Sequence, residues 1–352
     1  MLTAVGAAAS ALVVLAVPAA VIVGANSAPR VELAADEAAR RVDVRVDGKP
    51  FTAYIWPDRL KKPVLFPLRT ARGTVVTRGY PLEPRSGEHV DHPHHAGLWL
   101  NYGDVNGVDF WGNSEALTPQ EQAKAGVIRH RAVRLARGGA GQGELDVEAD
   151  WIMPDGSVGL REHTRYVFRA GPEWRSVDRL TMLTAGDKRM VFNDTKEGML
   201  GLRVARSLEM PAQKPEPVVD AEGRTSTAPG LDNTPSTGSY LSSEGVRGEK
   251  VWGTRGRWMA LEGTVDNEPV TLAMFDHPGN PGFPTYWHAR GYGLFAANPL
   301  GQKVFSEGKE QLNFTLEPGK STTFRHRILI ASSKLTPEQL EARYREFTSA
   351  RP

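Results

Sequence analysis

The stretch 88–115, EHVDHPHHAGLWLNYGDVNGVDFWGNSE, places four of the chain's nine histidines, three aspartates and two tryptophans within 28 residues. Neutral imidazoles so concentrated can take up and return protons near neutral pH, or ligate a divalent metal. Read as an extended segment, it projects His92 and His94 to one side and His95 to the other, with Pro93 stiffening the spacing. Residues 97–100 read as a strand leaving the site, and 103–107 as a turn whose Asp104 carboxylate and Asn106 amide point back toward it. His92, His94, His95 and Asp104 are therefore acid–base candidates, with Trp99, Asn106, Asp109 and Trp111 as candidate substrate contacts. A divalent metal on His92, His94 and Asp104 is a second reading, although the HxHH spacing is not itself a specific metal signature. The plain alternative is a surface loop whose histidines cap and bridge turns.

A second polar and aromatic stretch, 275–301, carries Asp276, His277, Tyr286, Trp287, His288, Arg290, Tyr292 and Asn298. Aromatic faces beside directed hydrogen-bonding groups suit a sugar, whose C–H faces stack and whose hydroxyls need partners. His288 joins the acid–base candidates, and His277, Tyr286, Trp287 and Arg290 the substrate contacts. The competing expectation is a core corner in which Trp287 and Phe295 are buried and Arg290 satisfies carbonyls. If the two stretches meet, the pocket holds a toolkit for acid–base work on a polyol. Glu197, in NDTKEGMLGLRVA, is a candidate general base at a sheet edge; Arg78, Glu307 and Glu310 are lesser candidates. The chain lacks G-x-S-x-G, a P-loop and a strand-linked G-x-G-x-x-G, which argues against serine hydrolase, nucleotide and dinucleotide chemistry.

The elements that must position these residues are strands. Val42, Val44 and Val46 alternate with polar neighbours before Asp47-Gly48, predicting a hairpin. A hairpin centred on Asp155-Gly156 sets Asp150 opposite Arg161, Glu148 opposite His163 and Asp146 opposite Arg165. Its other face pairs Leu145 with Tyr166, Val147 with Thr164 and Trp151 with Leu160, so His163 reads as structural. Further strands are expected at 176–183, 199–205, 258–263, 270–275, 311–316 and 321–331. One helix is expected near the end, capped by Thr336 with Pro337 in its first turn and Gln339 completing a capping box before Leu340, Tyr344 and Phe347.

Composition agrees with a β-rich fold: 36 glycines and 25 prolines among 352 residues favour many turns. No repeat of propeller length is visible, so the expectation is a single all-β domain over 30–352, a large antiparallel β-sandwich with a short C-terminal helix. With 43 basic and 41 acidic side chains there is no electrostatic footprint for nucleic acid, and with no cysteine there are no disulfides or thiolate sites. Residues 1–29 carry no charged side chain and include the apolar run 11–23. This predicts an export signal with small-residue cleavage chemistry at 23–25, or a retained N-terminal membrane anchor. Either places the remainder outside the cytoplasm, secreted or cell-surface. The proline-rich stretch 211–239 reads as disordered or as an active-site lid.

The motifs DHPHHAGLW, GDVNGVDFW, EGMLGLRVA, VWGTRGRW and DHPGNPGFPTYWHARGYGLFAANPLG together resemble a bacterial PmoA-like family carrying a methane oxygenase label, over about residues 40–332. The resemblance nominates His92, His94, His95, Asp104, Asn106, Asp109, His277, Trp287, His288 and Arg290, and supplies no catalytic roles. A methane oxygenase subunit spans the membrane many times, whereas this chain has one N-terminal apolar run, so the label does not transfer. In overall character the chain is similar to carbohydrate-processing sandwiches of the mutarotase type. The expected function is that of an exported carbohydrate-active enzyme, an epimerase, lyase or hydrolase acting on a small-molecule or glycan substrate. A non-catalytic glycan-binding module and a metal-dependent oxygenase or hydrolase are the alternatives.

Overall fold

The computed structural model describes residues 1–4, 28–212, 217–220, 222–226 and 235–350. The apolar run 11–23 and its cleavage chemistry lie outside these residues, as do parts of 211–239. Among the described residues no helix is long and apolar enough to cross a membrane.

The architecture is an all-β antiparallel sandwich. A nine-stranded sheet runs in spatial order Tyr286–Ala289, Leu294–Asn298, Gly198–Arg203, Leu98–Tyr102, Val64–Leu65, Lys49–Ile55, Arg41–Val46, Arg30–Asp36 and Gly139–Ala140. An eight-stranded sheet runs Ser239–Ser242, Trp258–Val265, Glu268–Asp276, Ser321–Ala331, Trp174–Ala185, Val158–Gly171, Gln142–Ile152 and Val127–Arg137. Met190–Phe192 and Phe314–Leu316 form a small third sheet. The two large sheets share one buried core, to which Val42, Leu100, Leu202 and Phe295 contribute from the first, and Leu145, Trp151, Leu272 and Ile328 from the second. Each of those strands sends alternate side chains inward, which is the period-two pattern of a half-covered strand.

The Asp155-Gly156 hairpin has the register that its charge pattern demands, with Asp150 opposite Arg161, Glu148 opposite His163 and Trp151 opposite Leu160. The ion pairs themselves run diagonally: His163 Nε2 lies 2.5 Å from Asp146, and Arg165 reaches Glu144 at 2.9 Å. The alternation rule misses Val127–Arg137, because bulges at His130/Ala132 and Val133/Leu135 break its period. The C-terminal helix Pro337–Ser349 starts at Thr336 with a complete capping box and buries Leu340, Tyr344 and Phe347. It packs on the outer face of the eight-stranded sheet, against Trp258, Ala273, Phe275 and Leu329.

Candidate active site

Four strands at one end of the nine-stranded sheet make the floor of a site. Cross-strand pairing sets Trp99 opposite Gly201, Gly201 opposite Ala296, and Ala296 opposite His288, so these four share one face. Neighbours of opposite parity, Leu98, Leu100, Leu202, Phe295 and Trp287, join the core between the sheets. The shared face therefore points away from the second sheet. Gly201 is required there, since a Cβ would sit 2.4 Å from the Trp99 ring that lies across it.

Above this floor the histidine segment folds around two buried arginines. Arg78 donates to the carbonyls of His89, Asp91, His92 and His95 at 2.9–3.2 Å, gathering four carbonyls of one short segment onto one guanidinium. Arg78 and Arg203 each reach Asp91 Oδ1 at 2.7 Å. Burial alone would raise the Asp91 carboxyl, but the His92 hydrogen bond and the charges of Arg203 and Arg78 together hold it far below the usual carboxylate range. His92 completes the cluster, its Nδ1 2.5 Å from Asp91 Oδ2.

The segment is a turn and not the extended chain that alternation implies. His92 takes a positive φ of 44°, and the His95 amide donates to the His92 carbonyl at 2.9 Å. This puts His92 and His95 on the same side as parallel rings, 4.8 Å between centroids, with Tyr292 stacked at 5.2 Å beyond His92 and Trp99 at 5.2 Å beyond His95. His94 stands edge-on to both. Burial, reinforced by the Lys62 charge, pushes His94 down to about 2, and burial pushes His288 down to about 3 and His95 well below its usual value. All three are neutral at pH 7, and the buried His95 Nε2 and His288 Nδ1 have no hydrogen-bond partner among the described residues. Lys62, itself lowered to about 7 by burial, donates to the His94 carbonyl at 2.7 Å.

Glu197 enters from the turn before Gly198–Arg203. That turn is tied down by Asn298, whose Nδ2 donates to the Thr195 carbonyl at 2.8 Å, and by Gly103, whose amide donates to the Glu197 carbonyl at 2.7 Å. Glu197 Oε2 lies 3.9 Å from His288 Nδ1, which has no hydrogen-bond partner among the described residues, and Oε1 lies 3.3 Å from Lys196 Nζ. A Cβ at Gly103 would stand 2.6 Å from that of Glu197. Gly103→Ala is therefore expected to displace the carboxylate and destabilise the fold by about 1–3 kcal/mol, read by urea denaturation. An unchanged midpoint would show that the turn yields without strain.

These groups surround a cavity of about 460 Å³. It brings together His92, His94, His95, Glu197, His288, Asp109, Trp111 and Arg290 from widely separated parts of the chain. It also includes Lys196, Trp252 and Tyr292, which the sequence reading does not nominate. Tyr292 carries the ring stack, and Arg290 lies over the Trp252 and Tyr292 rings at 5.4 and 5.9 Å. Asp91 and Arg203, which organise the site, lie inside the motifs DHPHHAGLW and EGMLGLRVA but read there as ordinary charges, since nothing local shows that they pair with each other.

Several expectations need correction. Asp104 turns away to accept from the Gly107 amide and Asn193, and Asn106 bonds the backbone of Arg189 and Val191, so the 103–107 turn points away from the site. His277 follows the strand Glu268–Asp276 of the other sheet and packs against Phe347 of the C-terminal helix. Tyr286 shares the floor's face but lies at the far end of its strand, stacked on Phe305 with its hydroxyl donating to Glu310. Trp287 is fully buried in the core by strand parity, and Trp99 is fully buried beneath His95 as support. Among the described residues no three acidic or histidine side chains converge as a metal-ligand set, so His92, His94 and Asp104 do not form one.

The model of DUF6807, a family of unknown function, matches residues 41–345. That match replaces the PmoA-like resemblance, for which no comparison gives support. Comparison with curated proteins finds no match. Similar solved structures include the Slr1438 protein of Synechocystis sp. PCC 6803, at 11% identity over 86% of this chain and 96% of that one, TM-score 0.35. Galactose 1-epimerase of Lactobacillus acidophilus NCFM aligns at 12% identity over 87% and 98%, TM-score 0.35. The GH36 α-galactosidase AgaA of Geobacillus stearothermophilus aligns at 11% over 87% of this chain and 41% of that one, TM-score 0.37.

Proposed function

As the chain belongs to the DUF6807 family, whose function is unknown, we propose from the pocket's own chemistry that it binds a sugar or related polyol and moves a proton on it, with His92 and Glu197 as the proton-transferring groups. The observation that carries this reading is the Asp91–His92 pair. A carboxylate 2.5 Å from Nδ1 fixes the tautomer that donates there, leaving the Nε2 lone pair available on a ring that is 43% exposed. His92 Nε2 takes the proton from a hydroxyl or from carbon beside a carbonyl and becomes imidazolium. Glu197 makes the matching delivery of a proton to the substrate oxygen or the opposite face of that carbon, and reversal of the two transfers resets the pair. His94 and His288, held neutral, hydrogen-bond hydroxyls without fixing a charge in the pocket, while His95, buried between the His92 and Trp99 rings, backs His92. Trp252, exposed at the cavity wall, offers a ring face to the C–H face of a pyranose, while Trp111 and Tyr292 are packed into the wall behind it.

The chain is read as an exported protein on its N-terminal apolar run. The test is a panel of aldoses, uronates and polyols, with binding followed by calorimetry and chemistry by proton NMR exchange and anomer or epimer ratios. Glu197→Gln is expected to reduce turnover by about tenfold to a hundredfold while affinity stays within a few fold. A sugar that binds and is turned over by Glu197→Gln and by a His92 variant as fast as by the parent removes the proton-transfer assignment. Binding with no turnover in the parent protein would identify a glycan-binding module, and no binding would remove the sugar reading.

A further inference from the structure

A second cavity, of about 540 Å³, opens where residues 56–63 pass the strand Val127–Arg137. Arg40, Lys61, Lys62 and Arg129 line it against one acid, Asp58, which is paired with Arg40. No carboxylate forms an ion pair with Lys61 or Arg129 among the described residues, and Asp58, paired with Arg40, is felt by Arg129 only at a distance, so positive charge is in excess in this hollow. The half-buried Trp56 stacks on His130 at 4.0 Å between centroids, and the Tyr54 hydroxyl holds His130 Nδ1 at 3.1 Å. His130 Nε2 is buried with no hydrogen-bond partner among the described residues. The bulge at His130/Ala132 locally re-aims this strand beside the hollow. Burial keeps His130 low, at about 4, so it is a neutral backing for the indole and adds no charge.

The hollow adjoins the candidate active site. Lys61 and Lys62 also line a small cavity of about 60 Å³ whose wall includes His94, and His94 lines the active-site cavity in turn. Lys62 Nζ, on the His94 carbonyl, ties the two regions together.

We propose that this basic, tryptophan-backed hollow is a subsite for an acidic residue of an oligosaccharide whose reacting unit occupies the His92–Glu197 pocket. The proposal rests on the sugar reading of that pocket. A uronate or sulfated ring stacks on Trp56 while its anionic group meets Lys61 and Arg129. A nucleic-acid occupant fits less well, because the patch is confined to one hollow and the chain's net charge is only +2.

The test compares trigalacturonate, its neutral galactose counterpart, galacturonic acid and polyphosphate by calorimetry at low and high salt. The parent protein is expected to bind trigalacturonate about tenfold more tightly than the neutral trimer at low salt, the margin shrinking at high salt. Lys61→Gln with Arg129→Gln is expected to weaken trigalacturonate about fivefold and leave the neutral trimer unchanged. Trp56→Ala is expected to weaken both trimers. Equal affinity of the parent for acidic and neutral trimers overturns the subsite, as does an unaffected double variant. Polyphosphate binding as tight as trigalacturonate would show charge attraction alone and also overturns it. These arms read binding only, so the subsite stands or falls without turnover. Failure of the His92 and Glu197 assignments appears separately, in the rates of single-sugar reactions.

Discussion

A His92→Asn variant is expected to lose about 10²- to 10⁴-fold in turnover while sugar affinity changes by no more than a few fold. Asparagine is the informative replacement, because residue 92 sits at φ 44° and asparagine tolerates that backbone region better than most residues. Its amide can still donate to Asp91, which is ionised and braced by two guanidiniums, so the loop keeps its polar contact while the basic nitrogen is removed. The measurement is kcat and KM on whichever sugar the panel identifies, with circular dichroism to confirm the fold. A kcat within threefold of the parent would show that His92 orients substrate without transferring a proton.

Asp91→Asn is expected to cost about 3–5 kcal/mol in urea denaturation at pH 7, since it leaves Arg78 and Arg203 buried beside a neutral group. Both arginine side chains are fully buried. The pH dependence has a definite sign. The Asp91 carboxyl is depressed in the folded state, so its contribution is complete above the ordinary carboxylate range and is lost as pH falls toward its lower folded value. The stability gap between parent and variant should therefore narrow on acidification. A gap under about 1 kcal/mol at pH 7 would mean that water reaches the cluster and screens it.

Much of the scaffold was legible because it follows from period and pairing. The Asp155-Gly156 hairpin can be registered residue by residue, since only one alignment buries Leu145, Val147 and Trp151 together while setting opposite charges on the other face. The capping box at Thr336 is equally local. The site was legible only as two rich stretches. Which residues of each stretch face the cavity depends on strand parity, and parity divides Trp287 from His288 by a single position. The direction of the 103–107 turn depends on what it meets: Asn193 and Val191, nearly ninety positions away, draw Asp104 and Asn106 off. Arg203 was hardest to see, and Arg78 stood only among the lesser candidates, since their importance comes from gathering carbonyls and a carboxylate from elsewhere in the chain.

The ring column from Tyr292 through His92 and His95 to Trp99, with His94 edge-on beside it, brings three imidazoles together but offers a single seat for a proton. A cation forming on His92 lies between a phenol face and an ionised carboxylate, and both neighbours welcome it. A cation on His95 would confront the Arg203 guanidinium, 3.4 Å from its Nδ1, and one on His94 would meet Lys62. The cluster is thus asymmetric by construction, with His94 and His95 held uncharged beside the one ring that a carboxylate faces.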